Sequence, residues 1–147
     1  MKNVTTDLNS TIENFLTSGI QNIDWEVKSS PEKWSAKQII GHLIDSAQVN
    51  LQRFVRCTYQ EQFKLVYDQA EWVEAQHYQE AETEELLSLW RLLNRQIISV
   101  LDNYPAGRLQ SQCDNSKTEQ SLHTVEWLAK DYVDHLKHHL NQIINRK

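Results

Sequence analysis

Three glycines and two prolines are all that interrupt a chain of 147 residues. That scarcity constrains the fold more than any other feature. Short strands joined by tight turns draw heavily on both residues, whereas long runs without them favour helix. Apolar side chains then recur at helical spacing in four stretches. The first runs from about Thr5 to Ser18 on Leu8, Ile12, Phe15 and Leu16, with Gly19 placed to end it. Asp24–Trp34, with Ser29, Ser30 and Pro31, reads as a connection. A second helix opens at Ser35 and continues to about Thr58 on Ile39, Ile40, Leu43, Ala47, Leu51 and Phe54. Its start, Ser35-Ala36-Lys37-Gln38, fits a capping box. The third runs from Thr83 to Asn103 on Leu86, Leu89, Trp90, Leu93, Ile97 and Leu101, and stops at Tyr104-Pro105-Ala106-Gly107. The fourth spans about Ser121 to Asn145.

Tyr59 to Glu82 forms a longer crossover with a short helix around Asp68–Gln76, and Arg108 to Gln120 is a polar connection. The expectation is an all-α fold: one domain over residues 1–147, a four-helix bundle with a long crossover between helices 2 and 3. A crossover of that length is also where a binding wall can sit.

Charge and hydropathy narrow the function. The formal charge of −5 lacks the basic excess of a nucleic-acid binder. No apolar run approaches the roughly 18–20 residues needed to span a bilayer, and Met1–Ser10 lacks the pattern of a signal peptide, so a cytoplasmic protein is expected. Cys57 and Cys113 form no C-x-x-C pair and read as reduced, partly buried thiols.

Six histidines are present, so one i,i+4 pair such as His135/His139 is a weak signal in itself. Helical phase says more. At ~100° per residue, Val125, Leu128, Tyr132, Leu136 and Ile143 share an arc that takes in His139 and has His135 at its edge. Both imidazoles are thereby directed into the bundle, while His138 falls beside Asp131 and Asp134 on the rim. His77 and His123 read as solvent-facing. On the second helix, His42 borders the apolar face, and Ser35, Ser46, Val49 and Arg53 follow the same line, flanked by Asp45 and Asn50. Such a seam suits a ligand cavity between helices. Inward imidazoles need partners, and a divalent transition metal is one that neutral imidazole suits. A hydrogen-bonded core histidine is the other reading.

The motif excludes some chemistries. His135-Leu136-Lys137-His138-His139 has leucine where a zinc protease places its glutamate, and the paired E-x-x-H motifs of di-iron bundles are absent. Three histidines without a carboxylate ligand would leave coordination positions free for water or substrate, as at a catalytic site.

Lys33-Trp34-Ser35, followed by Gly41-His42-Leu43-Ile44-Asp45-Ser46, resembles the signature that opens the metal-bearing helix of the DinB/YfiT-like superfamily. Asn50 and Arg53 continue the fit, Tyr67-Asp68-Gln69-Ala70-Glu71-Trp72 is similar to the crossover of its YfiT-type branch, and His135-x-x-x-His139 matches its remaining ligands. The resemblance implies a four-helix bundle whose His42, His135 and His139 bind one divalent ion, zinc or nickel. It also implies a homodimer and an activity among the family's metal-dependent hydrolases or low-molecular-weight-thiol transferases. The leading expectation is therefore a thiol S-transferase acting on a small thiol and an electrophilic cosubstrate. A hydrolase of amides or esters, with metal-activated water, is the second reading, and a non-catalytic binding bundle the third.

Asn50, Arg53 and Trp72 are the candidate substrate-binding residues. An arginine fork can hold a carboxylate of the thiol, and Trp72 can wall the pocket. A surface ion pair for Arg53 and a satellite-core position for Trp72 are the plainer alternatives. Asp131, one turn before His135, either orients that ring or is a solvated surface carboxylate. Trp127 on the outer face of the last helix is a candidate subunit contact.

Overall fold

The computed structural model describes residues 1–146. Its helices are α1 (Lys2–Asn14), α2 (Ala36–Arg56), α3 (Gln69–Gln76), α4 (Thr83–Asp102) and α5 (Val125–Ile144). The last turn of α1 widens into a π-helical stretch, Phe15–Gly19. The capping box forms as read: the Gln38 amide donates to Ser35 Oγ at 3.1 Å, and the Ser35 amide donates to Gln38 Oε1 at 3.0 Å. Asp68 caps α3 by accepting from the amides of Ala70 and Glu71.

Among the four long helices, α2 packs on α4 and α5, and α1 packs on the same two. Helices successive in sequence, α1 with α2 and α4 with α5, therefore face each other across the bundle instead of lying side by side. The core between them takes Leu8, Ile12 and Phe15 from α1, Ile40, Leu43, Ile44 and Phe54 from α2, Trp90 and Ile97 from α4, and Leu128, Leu136 and Ile143 from α5. The Trp90 ring meets Phe15 edge-on at 5.8 Å. Burial of this apolar surface, not helix propensity alone, holds the long helices in place. Leu89 departs from the expected face and is 42% exposed, so the buried stripe of α4 is narrower than its apolar sequence.

The all-α expectation needs a correction. Strands β1 (Phe63–Lys64), β2 (Gln112–Asp114) and β3 (Leu122–Thr124) form a small sheet in the order β1-β2-β3. β1 runs parallel to β2, and β2 is antiparallel to β3 with Cys113 opposite His123. These strands occupy the crossover, the polar connection and the first turn assigned to the last helix. Each is too short for alternation to register in sequence. The last helix accordingly begins at Val125, where Thr124 Oγ1 accepts from the Trp127 amide at 3.1 Å. His123 is half-buried, stacked on Trp127 at 3.7 Å, and not fully solvent-facing as its sequence position suggested. Both cysteines are free and buried. Burial pushes the Cys57 thiol up to about 12, which suits an inert thiol and not a nucleophile.

Candidate metal centre

His42 lies in the second turn of α2, beyond the Ser35 cap. His135 and His139 stand one turn apart on α5, which packs directly against α2. Packing of these two helices brings together side chains separated by more than ninety residues of chain. Nε2 of His42 lies 3.3 Å from Nε2 of His135, which lies 3.1 Å from Nε2 of His139. The three donor atoms all fall within 4.8 Å of one another. His42 is 1% exposed, with the Trp34 ring 5.1 Å away across it.

Electrostatics keep the cluster neutral. Burial, reinforced by the two neighbouring imidazoles, pulls His42 down to about 3. Burial and His139 pull His135 down to about 4. Burial also lowers His139, opposed by its hydrogen bond to Gln142. His139 Nδ1 lies 2.8 Å from Gln142 Oε1, an acceptor, so the proton belongs on Nδ1 and the Nε2 lone pair faces the other two rings. Gln142 in turn donates its Nε2–H toward exposed His138 at 3.2 Å.

With an Nε2 lone pair on each ring, the three nitrogens would repel one another, and a shared cation would remove that conflict. Nitrogens each about 2.0–2.1 Å from one tetrahedral ion sit about 3.4 Å apart. Two of the three separations, 3.3 and 3.1 Å, lie close to that spacing, and the third pair lies within 4.8 Å. The donor set, all neutral imidazole, suits a divalent transition ion.

His135 also forms part of the wall of a cavity of about 240 Å³ between α2, α5 and the crossover. Ser46, Asn50 and Arg53 line it from α2, Tyr67 from the crossover, and Asp131 and Tyr132 from α5. The polar seam of the second helix is thus the floor of a cavity, with Asn50 and Arg53 in it. Arg53 is buried and forms no surface ion pair among the described residues. Trp72 is not part of this lining. It packs edge-on against Tyr67 at 5.3 Å and so supports the wall from behind. Asp131 is exposed, and among the described residues no hydrogen bond joins it to His135.

Two groups at this site carried no functional assignment in the sequence. Tyr67 belongs to a motif-bearing segment, but helical periodicity says nothing about a residue in extended chain. Lys117 reaches the cavity from the β2–β3 loop, within a stretch that reads as featureless polar connection. Next to Ser46 on α2, Asp45 is wholly buried, and its Oδ1 accepts from Tyr78 Oη at 2.6 Å and Gln76 Nε2 at 2.9 Å. These bonds tie the crossover to the helix that bears His42.

The model of the DinB superfamily matches residues 13–143 of the chain. No curated protein sequence matches it. Among solved structures, the chain is similar to YfiT from Bacillus subtilis, described as a probable metal-dependent hydrolase with an unusual four-helix bundle topology. The two superpose with a TM-score of 0.85 over 97% of this chain and 82% of the other, at 20% sequence identity. At that identity the likeness is one of fold.

Proposed function

The chain belongs to the DinB superfamily, and from that membership together with the imidazole cluster we propose that it is a metal-dependent enzyme acting on a small polar substrate. The observation that carries this reading is the convergence of three Nε2 atoms, one of them on His135, which also lines the adjoining cavity. His42, His135 and His139 would hold one divalent ion, with zinc or nickel the metals proposed. Such an ion, when bound, supplies Lewis-acid chemistry: it favours the deprotonated form of a coordinated thiol or water.

The remaining work falls to this chain's own side chains. Trp34 covers His42 and keeps water from its buried face. Gln142 holds the His139 tautomer that turns Nε2 toward the cluster. Asn50, Arg53, Ser46 and Tyr67 offer hydrogen-bonding groups along the cavity, where a substrate would be oriented.

The first activity proposed is transfer of a low-molecular-weight thiol to an electrophile. The substrate's S–H proton leaves, a sulfur–carbon bond forms, and the electrophile's leaving group departs with its electron pair. Addition of such a thiol to cobalt-loaded protein should change the d–d spectrum, and an unaltered spectrum would count decisively against sulfur reaching the ion. A second reading, hydrolysis of an ester or amide, draws support from the description of the Bacillus subtilis structure and from the Asp131 carboxylate in the cavity wall beside His135. Ester turnover that disappears in His42→Ala would favour it. Neither response in fully metallated protein would leave a non-catalytic binding bundle.

A further inference from the structure

Arg53 occupies an electrostatic position that the fold does not resolve by itself. Its residue is 7% exposed, yet every ion pair among the described residues lies elsewhere. Neutral oxygens hold the guanidinium instead. Nε donates to the Leu65 carbonyl at 3.1 Å, Nη2 donates to the same carbonyl, and Nη1 donates to Asn50 Oδ1 at 3.3 Å. Asn50 is itself fixed, its Nδ2 donating to the Ser46 carbonyl at 2.9 Å. An arginine has five N–H donors, so after these three bonds one remains on each terminal nitrogen, with only the neutral Cys113 thiol, a weak acceptor, close enough to engage one of them. A buried cation with spare donors and no counter-charge is costly to maintain in a purely structural role.

The surroundings do not cancel that charge. Asp131 also lines the cavity, but it is exposed and acts on Arg53 only weakly. The Cys113 thiol lies close to Arg53, and burial raises its pKa, which keeps it neutral. The three imidazoles are neutral as well. Lys117 adds a second cation at the cavity mouth, on a loop held by Asp114 Oδ1, which accepts from the amides of Ser116 at 3.0 Å and Ser121 at 3.1 Å. The cavity wall is therefore net positive at the end formed by α2 and the β2–β3 loop.

We propose that this end of the cavity is a carboxylate subsite, with Arg53 as its anchor, and that the substrate is a small carboxylic acid whose reactive group extends toward His135. A carboxylate supplies two coplanar oxygens, which match the fork geometry of a guanidinium better than a lone alcohol or amide does. The carboxylate assignment stands on Arg53 and its neighbours. Only the direction of the reactive group rests on the metal-site reading.

The test uses full-length protein stripped of metal, so that the ion cannot bind the acid. Propionate, 3-mercaptopropionate and methyl 3-mercaptopropionate are titrated while the Nε–H resonance of Arg53 is followed by NMR. Both acids should bind with matching dissociation constants and shift that resonance, and the ester should bind at least tenfold more weakly. Arg53→Lys, which keeps the charge but loses the fork, should weaken both acids at least tenfold, measured against the parent by isothermal titration calorimetry, with its far-UV circular dichroism unchanged. Should that variant fail to fold, Asn50→Asp places a competing carboxylate against Arg53 and should abolish acid binding. Ester binding equal to that of the acid, acid binding unaffected by these substitutions, or no acid binding would each overturn the proposal. Metal content measured in parallel separates the two readings: acid binding in a protein that takes up no metal would sink the enzyme proposal and leave this one standing.

Discussion

The ring of Tyr78 lies directly over Gly41, in the space that a β-carbon would need. A Cβ built there would fall inside contact distance of Tyr78 Cδ2, Cγ and Cε2. The close approach lets Tyr78 Oη reach Asp45 Oδ1, one turn further along α2. A glycine in the middle of a helix is thus explained by what rests on it.

Gly41→Ala should consequently destabilise the protein despite alanine's better helix propensity. Propensity offers about 1 kcal/mol in its favour. Overpacking costs about 1–3 kcal/mol, and losing a hydrogen bond to a buried carboxylate costs about 1.5–3 kcal/mol more. A net loss of about 1.5–5 kcal/mol is expected in urea denaturation. A variant as stable as the parent would show that Tyr78 can move without penalty.

Removing an imidazole should remove the ion. Elemental analysis of purified protein should find close to one divalent ion per chain in the parent and almost none in His135→Ala/His139→Ala. Excess metal at about a hundred times its dissociation constant should stabilise the parent by about 2.7 kcal/mol and leave the variant unmoved. Equal metal content in both proteins would refute the site.

The metal-free protein should lose stability on mild acidification. Burial first, then the neighbouring imidazoles, hold His42 near 3; burial and His139 hold His135 near 4. In the unfolded chain both return to about 6.5, so as pH falls the unfolded state takes up protons first. Stability is full above about pH 6.5 and declines below it, with a slope approaching about 1.4 kcal/mol per pH unit for each histidine. Comparing urea midpoints at pH 7 and pH 5.5 checks this, and His42→Ala should show a flatter dependence. Equal slopes in the two proteins would mean that His42 is not held neutral by the fold.

Gln142→Leu should separate affinity from stability. Its Oε1 accepts from His139 Nδ1 at 2.8 Å on an exposed stretch of α5. Loss of that bond should weaken metal binding about 10–100-fold, while the metal-free unfolding temperature stays nearly constant. Competition with a chromophoric chelator measures the first and calorimetry the second. Affinity equal to that of the parent would assign Gln142 to the surface alone.

Much of this was legible in the chain itself because helix phase is a local property. Ser35 and Gln38 announce the start of α2 through contacts three residues apart. The spacing of Leu128, Tyr132 and Leu136 suffices to turn His135 and His139 inward. The seam of Ser46, Asn50 and Arg53 follows from the same periodicity. The family resemblance added His42 to the pair, again through residues close together in sequence.

Tertiary structure decided what depends on contacts between distant segments. Nothing local to α2 or α5 brings the Nε2 atoms of His42 and His135 to 3.3 Å; the packing of those two helices does. The three short strands exist because Phe63 finds Cys113 and Cys113 finds His123, pairings no strand of two or three residues can signal alone. Arg53 is buried without a paired carboxylate because the Leu65 carbonyl and the walls of a cavity enclose it. The sequence by itself determined most of the inward helix faces, since those follow from 3.6 residues per turn. Which inward groups meet, and which of them remain unpaired, was settled by the long-range packing that excludes water around them.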